Sequence, residues 1–110
     1  LAAGDIEALE MTPHTRFGRS GGLLNIVNPK KLKAWLSSSG VKINIQNHHG
    51  DVEIYGDAAV YTGYENVNIT PPNGESRQET NRLTVVFAKN KGDWEAVHVH
   101  VSGLTPVNPE

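Results

Sequence analysis

The sequence predicts an α+β domain in which a curved antiparallel sheet wraps around helices that precede it in the chain. Three observations carry that prediction. From about residue 41 onward apolar and polar side chains alternate with a period of two, which places successive side chains on opposite faces of a strand. Before that point the clearest pattern is helical, with Leu32, Trp35 and Leu36 on one side. Parity leaves one strand face plainly apolar, and a helix with a single apolar stripe is the element that covers such a face.

Taken in order, "LAAGDIEALE" (1–10) reads as the end of one helix, a break at Gly4-Asp5, and the start of another capped by Asp5, with Ile6 and Leu9 on one face. "MTPHTRFGRSGG" (11–22) is polar and Gly-rich, and the apolar run 23–27 after it suits a short strand. In 28–40, Asn28 is a cap, Pro29 fits the first helical position and Gly40 ends the helix. Strands follow over 41–45, 52–55, 58–69, 83–88 and 94–102, separated by Gly56-Asp57, "PPNGES" (71–76) and "KNKGD" (89–93). This is a meander with no internal repeat.

The faces follow from counting. In the last strand Val97, Val99 and Val101 share one side, and Trp94, Ala96, His98, His100 and Ser102 the other. In the strand before it, Leu83, Val85 and Phe87 oppose Arg82, Thr84 and Val86. The valine side is the core. The other side, with Trp94, Val86, Val60, Tyr64 and Thr62, is too apolar for full exposure to water and is expected to meet a second copy across a two-fold axis.

Composition narrows the function. A chain of 110 residues supports one core and one domain, 1–110. A net charge of −2 gives no electrostatic footprint for nucleic acid or an anionic membrane. With no cysteine there is neither a disulfide framework nor thiolate chemistry. No apolar run spans a bilayer, so a soluble, cytoplasmic protein is expected, although the chain opens on Leu1 and a removed leader stays open.

The stretch Gly56 to Gly103 carries a family resemblance. Gly56-Asp57 before a strand, Thr84, Gly92-x-Trp94 and the run Val97-His98-x-His100-x-Ser102-Gly103 are similar to the C-terminal half of SnoaL-like proteins of the nuclear transport factor 2-like superfamily. They resemble most the association (hub) domain of calcium/calmodulin-dependent protein kinase II. The resemblance implies a cone-shaped sheet around helices, related to cystatin-like folds, with a deep pocket, dimerisation through the outer face and possible stacking of dimers into higher oligomers. It also implies a truncated first helix, since residues 1–55 are short for the family.

Departures from the family pattern bear on the pocket. Where the hub pattern has pocket arginines after the matching Thr and after the second His, this chain has Val85 and Val101, and a third arginine position aligns with Glu65. The resemblance thus implies a pocket lined by Trp35, Tyr61, Glu65, Val85, Val99 and Val101, without arginine, taking an apolar or cationic small molecule. The dimer face it implies holds Tyr64, Thr84, Trp94, His98 and His100.

The histidines have two readings. A His-x-His pair on one strand face sets its Cα atoms roughly 6.7 Å apart, close enough to share a metal, but no spacing rule fixes a third ligand among His14, His48, His49 and Asp51. Sheet surface at the dimer face is the better reading, and neither metal nor cofactor is expected. Glu65, facing inward with Tyr61, is the candidate general base, and its plainer role is a surface ion pair with Arg77 or Arg82. "KKLK" (30–33) reads as a solvated helix face, and the "NIT" acceptor at 68–70 precedes Pro71 and is set aside. Two functions are compatible with this pattern: a homo-oligomerising, pocket-containing module, or a small stand-alone isomerase, hydratase or cyclase acting on an apolar substrate. Fold alone decides neither.

Overall fold

The computed structural model describes residues 13–104. The two helical pieces expected over 1–10 lie outside the described residues. The elements are β1 (His14–Phe17), β2 (Asn25–Val27), α1 (Pro29–Ser39), β3 (Lys42–Tyr55), β4 (Ala58–Thr70), β5 (Arg77–Asn90) and β6 (Asp93–Gly103). They build one six-stranded sheet in the order β2-β1-β6-β5-β4-β3.

Helix α1 is bounded as its sequence demands. Asn28 is extended (φ −109°, ψ 111°), and its Oδ1 accepts from the amides of Lys30 and Lys31 at 3.0 and 3.3 Å, while Gly40 closes the helix at φ 74°. A Cβ at Gly40 would also sit 3.2 Å from Pro72, so the β4–β5 loop packs against the helix end. Of the helices expected to cover the core face, α1 is the one among the described residues; it stands over the cavity side of the sheet through Lys31 and Leu32, with none of its residues buried and Trp35 51% exposed. Its apolar residues, Leu32, Trp35 and Leu36, follow or alternate with Lys30, Lys31 and Lys33.

The sheet is mixed, not wholly antiparallel. β1 runs parallel to β6, with Thr15 opposite His98 and Phe17 opposite His100, while β1–β2 and the remaining pairs are antiparallel. A four-residue strand has too few side chains to show a period, and its pairing with β6 specifies it instead. β5 also begins earlier than the apolar run 83–88, because the polar residues from Arg77 onward pair with β4 as far as Ile69.

Two irregularities decide which residues face inward. β3 is one strand, not the two expected over 41–45 and 52–55; its register against β4 shifts between His48 and Asp51, where His49 takes φ 53°. Such a bulge keeps the ladder but inverts parity. Ile43, Ile45 and Asn47 share a face with Glu65, Val67 and Ile69, whereas beyond the bulge Val52 and Ile54 do so with Tyr61 and Ala59.

The second irregularity lies in β6, where Val86 pairs with His98 but Phe87 pairs with Ala96. Val97 is the extra residue. It is 40% exposed, Ala96 is 1% exposed, and Val99 and Val101 are buried. Three face assignments are corrected in consequence: Val97 leaves the core face, and Ala96 and Trp94 join it. The core comprises Ala59, Tyr61, Leu83, Val85, Phe87, Ala96, Val99 and Val101, with Val52 and Trp94 packed against it. No helix among the described residues is long and apolar enough to cross a membrane.

The bulge sets a clear asymmetry between neighbouring valines. Val99→Thr, which puts a hydroxyl into the core without changing shape, should lower unfolding stability by about 1–3 kcal/mol in urea titrations. Val97→Thr should change it by less than about 0.5 kcal/mol.

Candidate functional site

The site starts from the pairing of β4 with its neighbours. Glu65 lies opposite Asn47 of β3 and Asn81 of β5, so three polar side chains cross the core face in one row at the end of the apolar cluster. Glu65 and Asn81 are each 2% exposed. The Asn81 Nδ2 donates to Glu65 Oε1 at 3.2 Å. Because a carboxylate accepts from this amide, its orientation is fixed, with Oδ1 as the free end. That Oδ1 is buried and receives no hydrogen bond among the described residues.

Above this row lies a cavity of about 560 Å³. Glu65, Asn81 and Val101 border it from the sheet, with Ile43, Ile45, Val67 and Ile69 as apolar wall. Lys31 and Leu32 of α1 and Val27 of β2 border it on the other side. Helix α1 thus walls a space large enough for a small organic molecule.

Arg16, Arg19 and Lys31 also line this cavity, which corrects the expectation of a pocket without arginine. Arg19 Nη1 lies 3.3 Å from Glu79 Oε1, which Arg77 Nη2 also approaches at 3.7 Å. Arg16 and Lys31 have no carboxylate partner among the described residues. Arg16 enters because it sits opposite Val99 on β1, a strand the sequence pattern does not show. Arg19 has a fainter signal: its guanidinium lies 3.1 Å from where a Cβ of Gly103 would stand, so the glycine makes room for it.

Of the pocket residues expected from sequence, Glu65 and Val101 line the cavity. Tyr61, Val85 and Val99 lie in the buried core beside it, and Trp35 is half exposed on α1, away from the lining. Tyr61 packs across Gly50 and Gly63, where a Cβ would meet its ring. The surface ion pair considered for Glu65 does not form with either Arg77 or Arg82.

The opposite sheet face carries the residues expected at a dimer contact, except Trp94. Tyr64, Thr84 and His100 border an open groove of about 610 Å³ with His49, Asp51 and Arg82. His98 and Thr15 share a hydrogen bond, Nδ1 to Oγ1 2.8 Å, and Phe17 stands with its ring centroid 5.5 Å from both His98 and His100. Tyr64 stacks on His48 at 6.0 Å and meets His49 edge-on at 6.5 Å. Trp94 lies on the core side, with Lys89 Nζ 5.6 Å above its ring. Among the described residues no three His, Asp or Glu side chains converge as a metal site.

Known proteins share this fold. A model of the SnoaL-like domain matches residues 30–107. A solved nuclear transport factor 2-like protein of unknown function from Prochlorococcus is similar over 86% of this chain and 73% of its own, with 18% identity and a TM-score of 0.68. The calcium/calmodulin-dependent protein kinase II hub from S. rosetta is similar over 93% of this chain and 84% of its own, with 24% identity and a TM-score of 0.61. The association domain of the same kinase from C. elegans shares 25% identity over 83% of this chain and 72% of its own, with a TM-score of 0.57. No functionally curated protein matches the chain significantly.

The Glu65–Asn81 pair should behave as one unit. In a double-mutant cycle with Glu65→Met and Asn81→Leu followed by urea unfolding, the coupling should favour the pair by about 1–3 kcal/mol, since each single change leaves a buried polar partner. A coupling indistinguishable from zero would contradict the pairing.

Proposed function

The chain belongs to the SnoaL-like domain family, and we propose that it is a small-molecule-binding module that self-associates through the sheet face opposite its cavity. The observation that carries the binding half is the floor of the cavity. A buried carboxylate held by one amide, beneath an isoleucine and valine wall, costs stability and adds little to packing. A few convergent polar groups at the floor of an apolar-walled cavity support a ligand site.

Support for the assembly half is the composition of the opposite face. Tyr64 is 38% exposed there, flanked by Thr84, His100 and the groove they border. Aromatic and imidazole groups among small hydroxyl side chains suit a protein contact better than a wholly solvated surface. Two of the similar solved structures carry the names association domain and hub.

A second reading is favoured by the same carboxylate. Glu65 is buried, borders the cavity and accepts from a neighbouring amide, which is the placement a general base needs in an isomerase, hydratase or cyclase. Arg16 and Lys31 at the same cavity, without a carboxylate partner among the described residues, are groups able to offset negative charge on a substrate.

Both halves are open to direct measurement. Ligand-observed magnetic resonance with a neutral fragment set should give binders that lose affinity in Ile45→Trp, which fills the cavity wall; fragments indifferent to that change would contradict the binding half. Light scattering at tens of micromolar should give at least a dimer, and Tyr64→Lys should shift it to monomer. A monomeric wild type would remove the assembly half.

A further inference from the structure

Resting on the reading of the cavity as a ligand site, we infer that the ligand end reaching the cavity floor is a protonated amine. Two acceptors meet there on paired strands. Glu65 Oε1 accepts from the neutral Asn81 amide, and a carboxylate has room for about four donors. Among the described residues no arginine, lysine or histidine nitrogen comes within ion-pair distance of it. Asn81 Oδ1, on a side chain 2% exposed, receives no donor among the described residues. Residues directly opposite on antiparallel strands hold their side chains about 5 Å apart, so one small group can address both.

The chemistry of that group follows from what is missing. A primary ammonium carries three N–H donors and a positive charge, supplying a counter-charge to Glu65 and a hydrogen bond to Asn81 Oδ1 together. A hydroxyl has one donor and serves one of them. A carboxylate or phosphate would set further acceptors against Glu65 and Asn81 Oδ1 and is better placed at the outer end, beside Arg16 and Lys31. A metal ion would need more ligating groups than converge among the described residues.

The mouth restricts the other end of the ligand. Arg19 is held by Glu79, but Arg16 and Lys31, at the same cavity, have no carboxylate partner among the described residues. A second ammonium at the outer end is disfavoured by that charge, so the ligand is a monoamine whose body lies along Ile43, Ile45 and Val67 and whose far end is neutral or anionic.

The test titrates the full chain at pH 7 with hexylamine, 1-hexanol, hexanoate, 1,6-diaminohexane and hexyltrimethylammonium, followed by two-dimensional magnetic resonance and calorimetry. Hexylamine, protonated at this pH, should bind one per chain and perturb the Asn81 side-chain amide and the Val67 and Val101 methyl groups. Hexanol, hexanoate and the trimethylated amine, which keeps the charge but has no N–H, should each bind at least about tenfold more weakly, and the diamine should bind more weakly than hexylamine. Glu65→Gln should cost hexylamine about 10- to 100-fold and hexanol less than about threefold. Equal or tighter binding of hexanol, hexanoate or the trimethylated amine overturns the amine assignment while the cavity remains a ligand site. If none of the compounds perturbs Val67 or Val101, the cavity is not a ligand site and the assignment falls with it. The trimethylated probe needs no variant, so the outcome does not depend on Glu65→Gln folding.

Discussion

Two extra residues in the sheet decide what the core face presents. Without the bulge at His49 in β3, strict alternation could not place both Ile45 and Val52 on the side of the core cluster. Without the one at Val97 in β6, Ala96 and Trp94 would turn away from Phe87. A bulge leaves most ladder hydrogen bonds intact while rotating every later side chain to the other face, and it sharpens the local twist. The cavity is a product of this geometry: apolar side chains on both sides of the β6 bulge close into a core with Val52 of β3, and on the far side of the β3 bulge Ile43, Ile45 and Asn47 line up beside Glu65.

The division of labour along β4 and β5 is chemical as well as geometric. From Ala59 and Tyr61 to Leu83, Val85 and Phe87 the core face is apolar and closed. At Glu65 and Asn81 it becomes polar while remaining buried, and beyond them Val67, Ile69 and Glu79 open onto the cavity. Burying a carboxylate beside an amide gains little folding free energy, and the orphan Asn81 oxygen loses some. Conflicts of this kind between local structure and stability are expected where a protein binds or transforms something.

Much of this is legible in the sequence. The cap at Asn28, the stop at Gly40 and the turns at Gly56 and Gly92 follow from side-chain chemistry and from backbone angles that glycine tolerates, and each stands where expected. The separation of Val99 and Val101 from His98 and His100 follows from simple alternation, and so does the inward position of Glu65. What fails is alternation carried across an irregularity. Val97 reads as core because nothing in "EAVHVHV" marks the residue that drops out of register. β1 is invisible to pattern because four residues in a polar stretch gain their structure from β6, and Arg16 and Arg19 are lost with it. The charge of the cavity is misread for that reason, since the missing arginines of the late strands are answered by others from the start of the described chain.

Thiol accessibility tests the placement of these faces most directly, because the native sequence has no cysteine and each introduced one reports alone. In the folded protein, Val97→Cys should react with a thiol reagent nearly as fast as an unfolded peptide, while Ala96→Cys should react only as fast as the chain unfolds. Rapid labelling at 96 with protection at 97 would restore uninterrupted alternation in β6 and contradict the inward turn of Ala96 and Trp94.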